Sequence, residues 1–178
     1  MFGFFKGTKQ KDLEFFKEMM SAAAEGEQRA KINSAIGSLG IQLEPENDNS
    51  QYCIKVSSAL VKKIMMSHGT TIKSAENDDI LTAGLFLFVV SNHITRVVGA
   101  PFEEVSSIAV LDLFYDISSP QEIAEYVNPI ANLYNDASTN SKIPLAIGQN
   151  LVKWIEEPIH ENYTRLVELY KLCRENLK

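Results

Sequence analysis

Residues 78–99 read DDILTAGLFLFVVSNHITRVVG, the longest apolar stretch of the chain, and the fold turns on how they are read. Between Ile80 and Val90 only Thr82 and Gly84 are not strongly apolar. Strands seldom exceed about 8 residues, so an uninterrupted run of this length reads as a helix, although Phe86–Val90 alone has strand character. Its punctuation agrees: Asp78 and Asp79 suit the free amides and positive dipole end of a helix start. Arg96 suits the negative end, and Gly99 the left-handed residue just beyond.

A helix that is apolar on every face must be buried on every face, and in a water-soluble domain only other helices packed around it can do that. A bilayer is the other solution, but a span needs roughly 20 apolar residues. Here the run ends at Val90, before Ser91, Asn92, His93 and Arg96. The expectation is a buried central helix over about residues 78–98.

The flanking segments supply its neighbours. Pro101 with Glu103 and Glu104 opens a helix through Val105, Ile108, Ala109, Leu113 and Phe114 to near Ile117, forming an antiparallel hairpin with the central one. Before the central helix, Cys53, Val56, Leu60 and Ile64 recur at four-residue steps until Gly69 stops them. Leu13, Phe16, Met20 and Ala23 mark an earlier amphipathic helix from near Gln10, with Gly26 as a kink or a loop.

Later in the chain, Ser119-Pro120-Gln121-Glu122 combines cap, proline and acidic first turn. Pro129 predicts a kink or a new helix, Asp136–Lys142 a polar loop, and Ile143–Ile155 and Glu161–Leu177 two final helices. No fixed-period repeat is present. The fold class expected is all-α, an irregular multi-helix bundle in one domain over residues 1–178. Residues 1–8 read as an N-terminal arm, either tucked into the fold or docking elsewhere.

The chain carries 17 Lys and Arg against 23 Asp and Glu, a net charge of −6 that disfavours nucleic acid as a partner. Cys53 and Cys173 lie in no CxxC or Cys/His cluster, so they read as separate thiols in a reducing, cytoplasmic setting. Met1-Phe2-Gly3-Phe4-Phe5 meets Lys6 at once, which is too short for a secretory signal. Dinucleotide, P-loop, zinc-protease, nucleophile-elbow and EF-hand motifs do not occur, so the reading leans away from an enzyme and expects no cofactor.

Three groups of residues are candidates for function. Asn92, His93 and Arg96 enter the central helix where the apolar run ends, and a polar cluster inside a bundle is costly unless partnered or wet. They mark a prospective ligand pocket. Residues 101–161 hold ten acidic and two basic side chains, and Glu103, Glu104, Asp112, Asp116, Glu122 and Glu125 would steer a basic protein partner if they share a face. Phe2, Phe4 and Phe5 beside Lys6 have the character of a membrane or partner arm.

Glu157 and His160 have the Glu-x-x-His spacing of di-iron bundles, but His68 and His93 have Met65 and Val90 at the matching position, so no metal site is expected. The leading functional expectation is a soluble interaction protein, an adaptor, chaperone-like factor or inhibitor, binding its partner through an acidic or apolar helical surface. The alternative is a helical enzyme or small-ligand binder with a pocket at Asn92, His93 and Arg96.

Overall fold

The computed structural model describes residues 5–115 and 119–176, and of residues 5–20 and Pro120 the backbone alone. The described residues form seven α-helices and no strand: α1 (Phe5–Ser38), α2 (Asn49–Ser67), α3 (Asn77–Val98), α4 (Phe102–Phe114), α5 (Pro120–Asn140), α6 (Ile143–Glu156) and α7 (His160–Asn176). A 3-10 turn at Ile72–Ser74 joins α2 to α3. The bundle is organised around α3, which touches all six other helices.

Burial of α3 follows its sequence. Thr82 through Ser91 are all buried, which is more than two turns with no wet face. By length and composition α3 is also long and apolar enough to cross a membrane, and 67% of its most apolar window is buried inside the fold.

Both ends of α3 are tied down. A reciprocal capping box starts the helix one turn before Ile80: the Glu76 amide donates to Asp79 Oδ2 at 3.1 Å. Asp79, only 2% exposed, also accepts from Arg174 of α7, through Nε and, at 3.3 Å, through Nη2. At the other end Gly99 adopts φ 79°, a left-handed conformation natural to glycine, and its amide closes on the Thr95 carbonyl at 2.8 Å. Asn49 Nδ2 donates to the Val98 carbonyl at 2.8 Å, so α2 starts where α3 stops.

Three local readings are corrected: a loop at Gly26, a new helix at Pro129 and a polar loop over Asp136–Lys142. Gly26 does not interrupt α1, which runs unbroken through it. Glycine costs a helix interior only about 1 kcal/mol, and the pairs Glu25–Arg29 at 3.6 Å and Glu27–Lys31 at 3.1 Å straddle it. Pro129 likewise lies inside a continuous α5. Its neighbour Ile130 is fully buried and fills the space beside Gly84 of α3. A methyl on Gly84 would lie 2.9 Å from Ile130 Cγ2 and closer still to Cγ1 and Cδ1.

Asp136–Lys142 is the third correction, because α5 continues to Asn140. Residues with loop-like composition here bond back onto their own helix. Thr139 Oγ1 donates to the Asn135 carbonyl at 2.9 Å, and Asn140 Nδ2 to Asp136 Oδ1 at 2.7 Å. Only Ser141 and Lys142 separate α5 from α6. That short connection brings the end of α5 and the start of α6 together against α3.

Candidate functional site

The polar end of α3 faces a groove of about 410 Å³ between three helices. From α3 come Val89, Asn92, His93 and Arg96, at the three- and four-residue steps that place side chains on one helical face. The end of α5 contributes Tyr134, Ser138 and the following Ser141 at the same kind of spacing. Opposite them, α6 supplies Pro144, Leu145, Gly148, Gln149 and Val152. Three stripes therefore converge, in a volume within the roughly 300–1,000 Å³ of small-molecule pockets.

Exposure grades the lining. Val89 is buried, Asn92, His93, Tyr134, Gly148 and Val152 are half-buried, and Arg96, Ser138, Leu145 and Gln149 form an exposed rim. Gly148 keeps one wall thin: a methyl group built on it would meet no atom within 4 Å.

Part of the wall is held in place. Asn92 Nδ2 donates to the Tyr134 hydroxyl at 2.5 Å, and the Tyr134 ring packs at 5.6 Å from Phe88 and 5.8 Å from Phe102. Ser141 Oγ accepts the Ile143 amide at 3.1 Å, fixing the α5–α6 corner. By contrast, His93, Arg96, Ser138 and Gln149 make no side-chain hydrogen bond or ion pair among the described residues. Among the described residues no carboxylate lines the groove. Burial, and then the nearby Arg96 charge, push the His93 pKa below the ordinary imidazole value, so near pH 7 the ring is neutral and has one donor and one acceptor nitrogen.

A second hollow, about 620 Å³, lies between α1, the connection after it and the start of α2. Its arginine is engaged through both terminal nitrogens, while its buried Nε has no hydrogen-bond partner among the described residues and lies 3.6 Å from Glu25. Arg29 sits 4.3 Å over the Tyr52 ring, donates Nη1 to the Glu46 carbonyl at 2.8 Å, and donates Nη2 to Asn49 Oδ1. Tyr52 in turn donates to Asn33 Oδ1 at 2.9 Å. These contacts close the 41–47 connection onto the bundle.

Of the acidic residues singled out from the sequence, Glu103, Glu104, Asp112, Glu122 and Glu125 are exposed. Glu103 and Glu104 stand in the first turn of α4, and Asp112 lies near its other end. Glu122 and Glu125 follow at the start of α5, where Glu122 accepts the Ser119 amide at 2.8 Å in a capping box. That bond and the Ser119 hydroxyl hold the Glu122 carboxyl below its usual pKa. Asp116, Phe2 and Phe4 lie outside the described residues, as does the side chain of Phe5, whose backbone opens α1.

Glu157 and His160 do not share a helical face, because Glu157 caps the end of α6 and His160 is the first residue of α7. Asn162 Nδ2 bridges that corner by donating to the Glu157 carbonyl at 2.9 Å. Among the described residues no group of three His, Cys, Asp or Glu could hold a metal ion. Cys53 and Cys173 are buried free thiols whose pKa values burial pushes up to about 12 and about 11, which keeps them protonated and unreactive near neutral pH.

Sequence reasoning found the α3 side of the groove and missed Tyr134, Ser138, Leu145 and Gln149. Reading 136–142 as a loop hid Ser138 from its helical face. The four-residue step from Tyr134 to Ser138 was the available signal. No family model, curated protein or solved structure matches this chain.

Proposed function

We propose that the protein binds a small ligand in the groove between α3, α5 and α6. The observation that carries this reading is the unengaged lining: His93, Arg96, Ser138 and Gln149 converge on one cavity, while the wall beside them is fixed by Asn92 and Tyr134. Half-buried His93 and the exposed rim of Arg96, Ser138 and Gln149, having no partner among the described residues, keep their bonding capacity for water or a ligand. Apolar Val89, Leu145 and Val152 supply the area that a small organic molecule needs. The arrangement holds and orients. His93 has no hydroxyl or carboxylate bonded to it that would make it half of a catalytic pair.

Gly148→Leu tests this reading, since Gly148 lines the groove and a Cβ there meets no atom within 4 Å, so the larger side chain is expected to occupy the groove. In an NMR fragment screen, binders that shift the amide resonances of residues 89–96 are expected for the natural protein and lost in the variant. The reading fails if millimolar fragments leave those resonances unmoved, or if the shifts survive Gly148→Leu.

A second reading is a cytoplasmic adaptor or inhibitor docking a basic protein partner. Its support is the hydrogen bond from the Tyr126 hydroxyl to Asn77 Oδ1 at 2.8 Å, which sets the starts of α3 and α5 side by side. Exposed Glu122 and Glu125 belong to the start of α5, and exposed Glu76, 4.0 Å from Arg174 Nη2, and half-buried Asp78 to the start of α3. Capture of a partner at low salt that persists when these four carboxylates are replaced by amides would exclude this surface.

A further inference from the structure

Resting on the groove being a ligand site, we infer that its ligand is a small organic monoanion, a carboxylate with an apolar body, whose charged end is held by Arg96 and His93. Charge is the first argument. In a chain with a net charge of −6, acidic partners for an arginine are plentiful, yet among the described residues the groove is lined by one guanidinium and no carboxylate. Arg96 joins no ion pair among the described residues, whereas Arg29 and Arg174 both do.

Its nearest alternative lies in an adjoining hollow of about 340 Å³, where Arg96 and Glu25 of α1 both line the wall. Glu25 is 3.6 Å from Arg29 Nε and not paired with Arg96. A guanidinium presents a planar fork of donors that matches a carboxylate, and such charge-assisted bonds are about twice as strong as neutral ones.

The second argument is valence. With His93 neutral the described lining carries one positive charge, which balances a carboxylate but not a phosphate monoester, whose charge near pH 7 is about −1.5 to −2. Thirdly, the lining is chemically divided. Arg96 and His93 lie one turn apart on α3, while Leu145 and Val152 lie across the groove on α6. A molecule with a charged end and an apolar body satisfies both sides at once. Among the described residues, the groups facing His93 that bear on its charge are Arg96 from α3 and the Tyr134 phenol from α5. No titratable side chain of α6 lines the groove.

The test is a matched series, hexanoate, hexanamide and hexylamine, titrated into the full chain at pH 7 and followed through the amide resonances of residues 89–96 and 144–152. Hexanoate is expected to bind about ten-fold or more tightly than hexanamide, in line with the gain from a charge-assisted bond. Arg96→Gln should erase that preference, bringing hexanoate and hexanamide to equal affinity, and Arg96→Lys should restore part of it. Equal binding of acid and amide, or a preference for the amine, overturns the anion inference and leaves the groove as a ligand site. So does a screen in which only neutral fragments bind in a manner sensitive to Gly148→Leu. If Gly148→Leu-sensitive binding is absent for every fragment and for all three compounds, both readings fall together. Arg96 is exposed, so an unchanged melting temperature in Arg96→Gln separates lost binding from lost folding.

Discussion

Arg29 and Arg96 each line a hollow of this bundle, and the larger hollow has the less available arginine. The 620 Å³ space beside α1 holds a guanidinium already stacked on Tyr52 and bonded to Glu46 and Asn49. The 410 Å³ groove at the end of α3 holds one with no such partner among the described residues. Size alone would rank them the other way. What separates a structural hollow from a ligand site is whether the polar groups around it are already satisfied, because a donor engaged within the fold must first break that bond to hold anything else.

If engagement sets an arginine's role, the cost of removing it should follow its partners. Arg174 is the extreme case, since its partner Asp79 is nearly inaccessible and would be left as a buried charge. Arg174→Ala is expected to destabilise by about 3 kcal/mol, the low end for breaking a buried pair because Arg174 itself is partly exposed. Urea unfolding measures it, and Asp79→Asn combined with Arg174→Ala should recover part of the loss. A cost below about 1 kcal/mol for Arg174→Ala would mean the pair is replaceable by water.

Arg29→Ala comes next, at about 2 kcal/mol, from the lost aromatic contact and the two oxygen acceptors left behind. Hydrogen exchange should then rise first in the 41–47 connection. If exchange rises uniformly instead, Arg29 supports the whole bundle rather than that strap.

How much of this was legible in the sequence depended on where the physics was local. The central helix was readable because every face of Ile80–Val90 is apolar and no turn residue breaks it. Its six neighbours were readable as helices from their spacing. Continuity through Gly26 and Pro129 was not, because whether a weak helix position holds depends on what packs beside it. At Pro129 that is the Ile130 side chain seated against Gly84. The site was half legible. Asn92, His93 and Arg96 stood out as polar interruptions, but their partners lie more than 40 positions away on α5 and α6 and carry no motif. Engagement was legible only in part: Glu25 stands one helical turn before Arg29 where Arg96 has Asn92, but the Tyr52, Glu46 and Asn49 contacts of Arg29 carry no sequence signal.

A smaller effect tests the groove from its histidine. The folded His93 pKa lies below the unfolded value of about 6.5, so the unfolded chain takes up the proton first as pH falls. Above about pH 6.5 both states are neutral there and His93 adds no pH dependence. Stability should decline as pH drops from about 6.5 through the folded pKa, and His93→Gln should remove that part of the decline. Comparing urea midpoints of the two proteins at pH 7 and pH 5.5 checks this. An identical loss in both would place the imidazole in contact with bulk water.

The smallest expected effect on stability belongs to Arg96→Gln, within about 0.5 kcal/mol, as for other exposed residues without fixed partners. Its informative readout is the His93 titration, followed through the imidazole resonances by NMR. Burial is the larger cause of the depressed pKa and the Arg96 charge the second, so the variant loses the second and keeps the first. The midpoint should rise yet stay below the ordinary value. Were Arg96 instead drawn across the adjoining hollow onto Glu25, its charge would already be neutralised at His93 and the midpoint would not move. An unmoved midpoint would make Arg96 a second Arg29, an arginine held by the fold, and the groove would lose the charge that gives it a ligand preference.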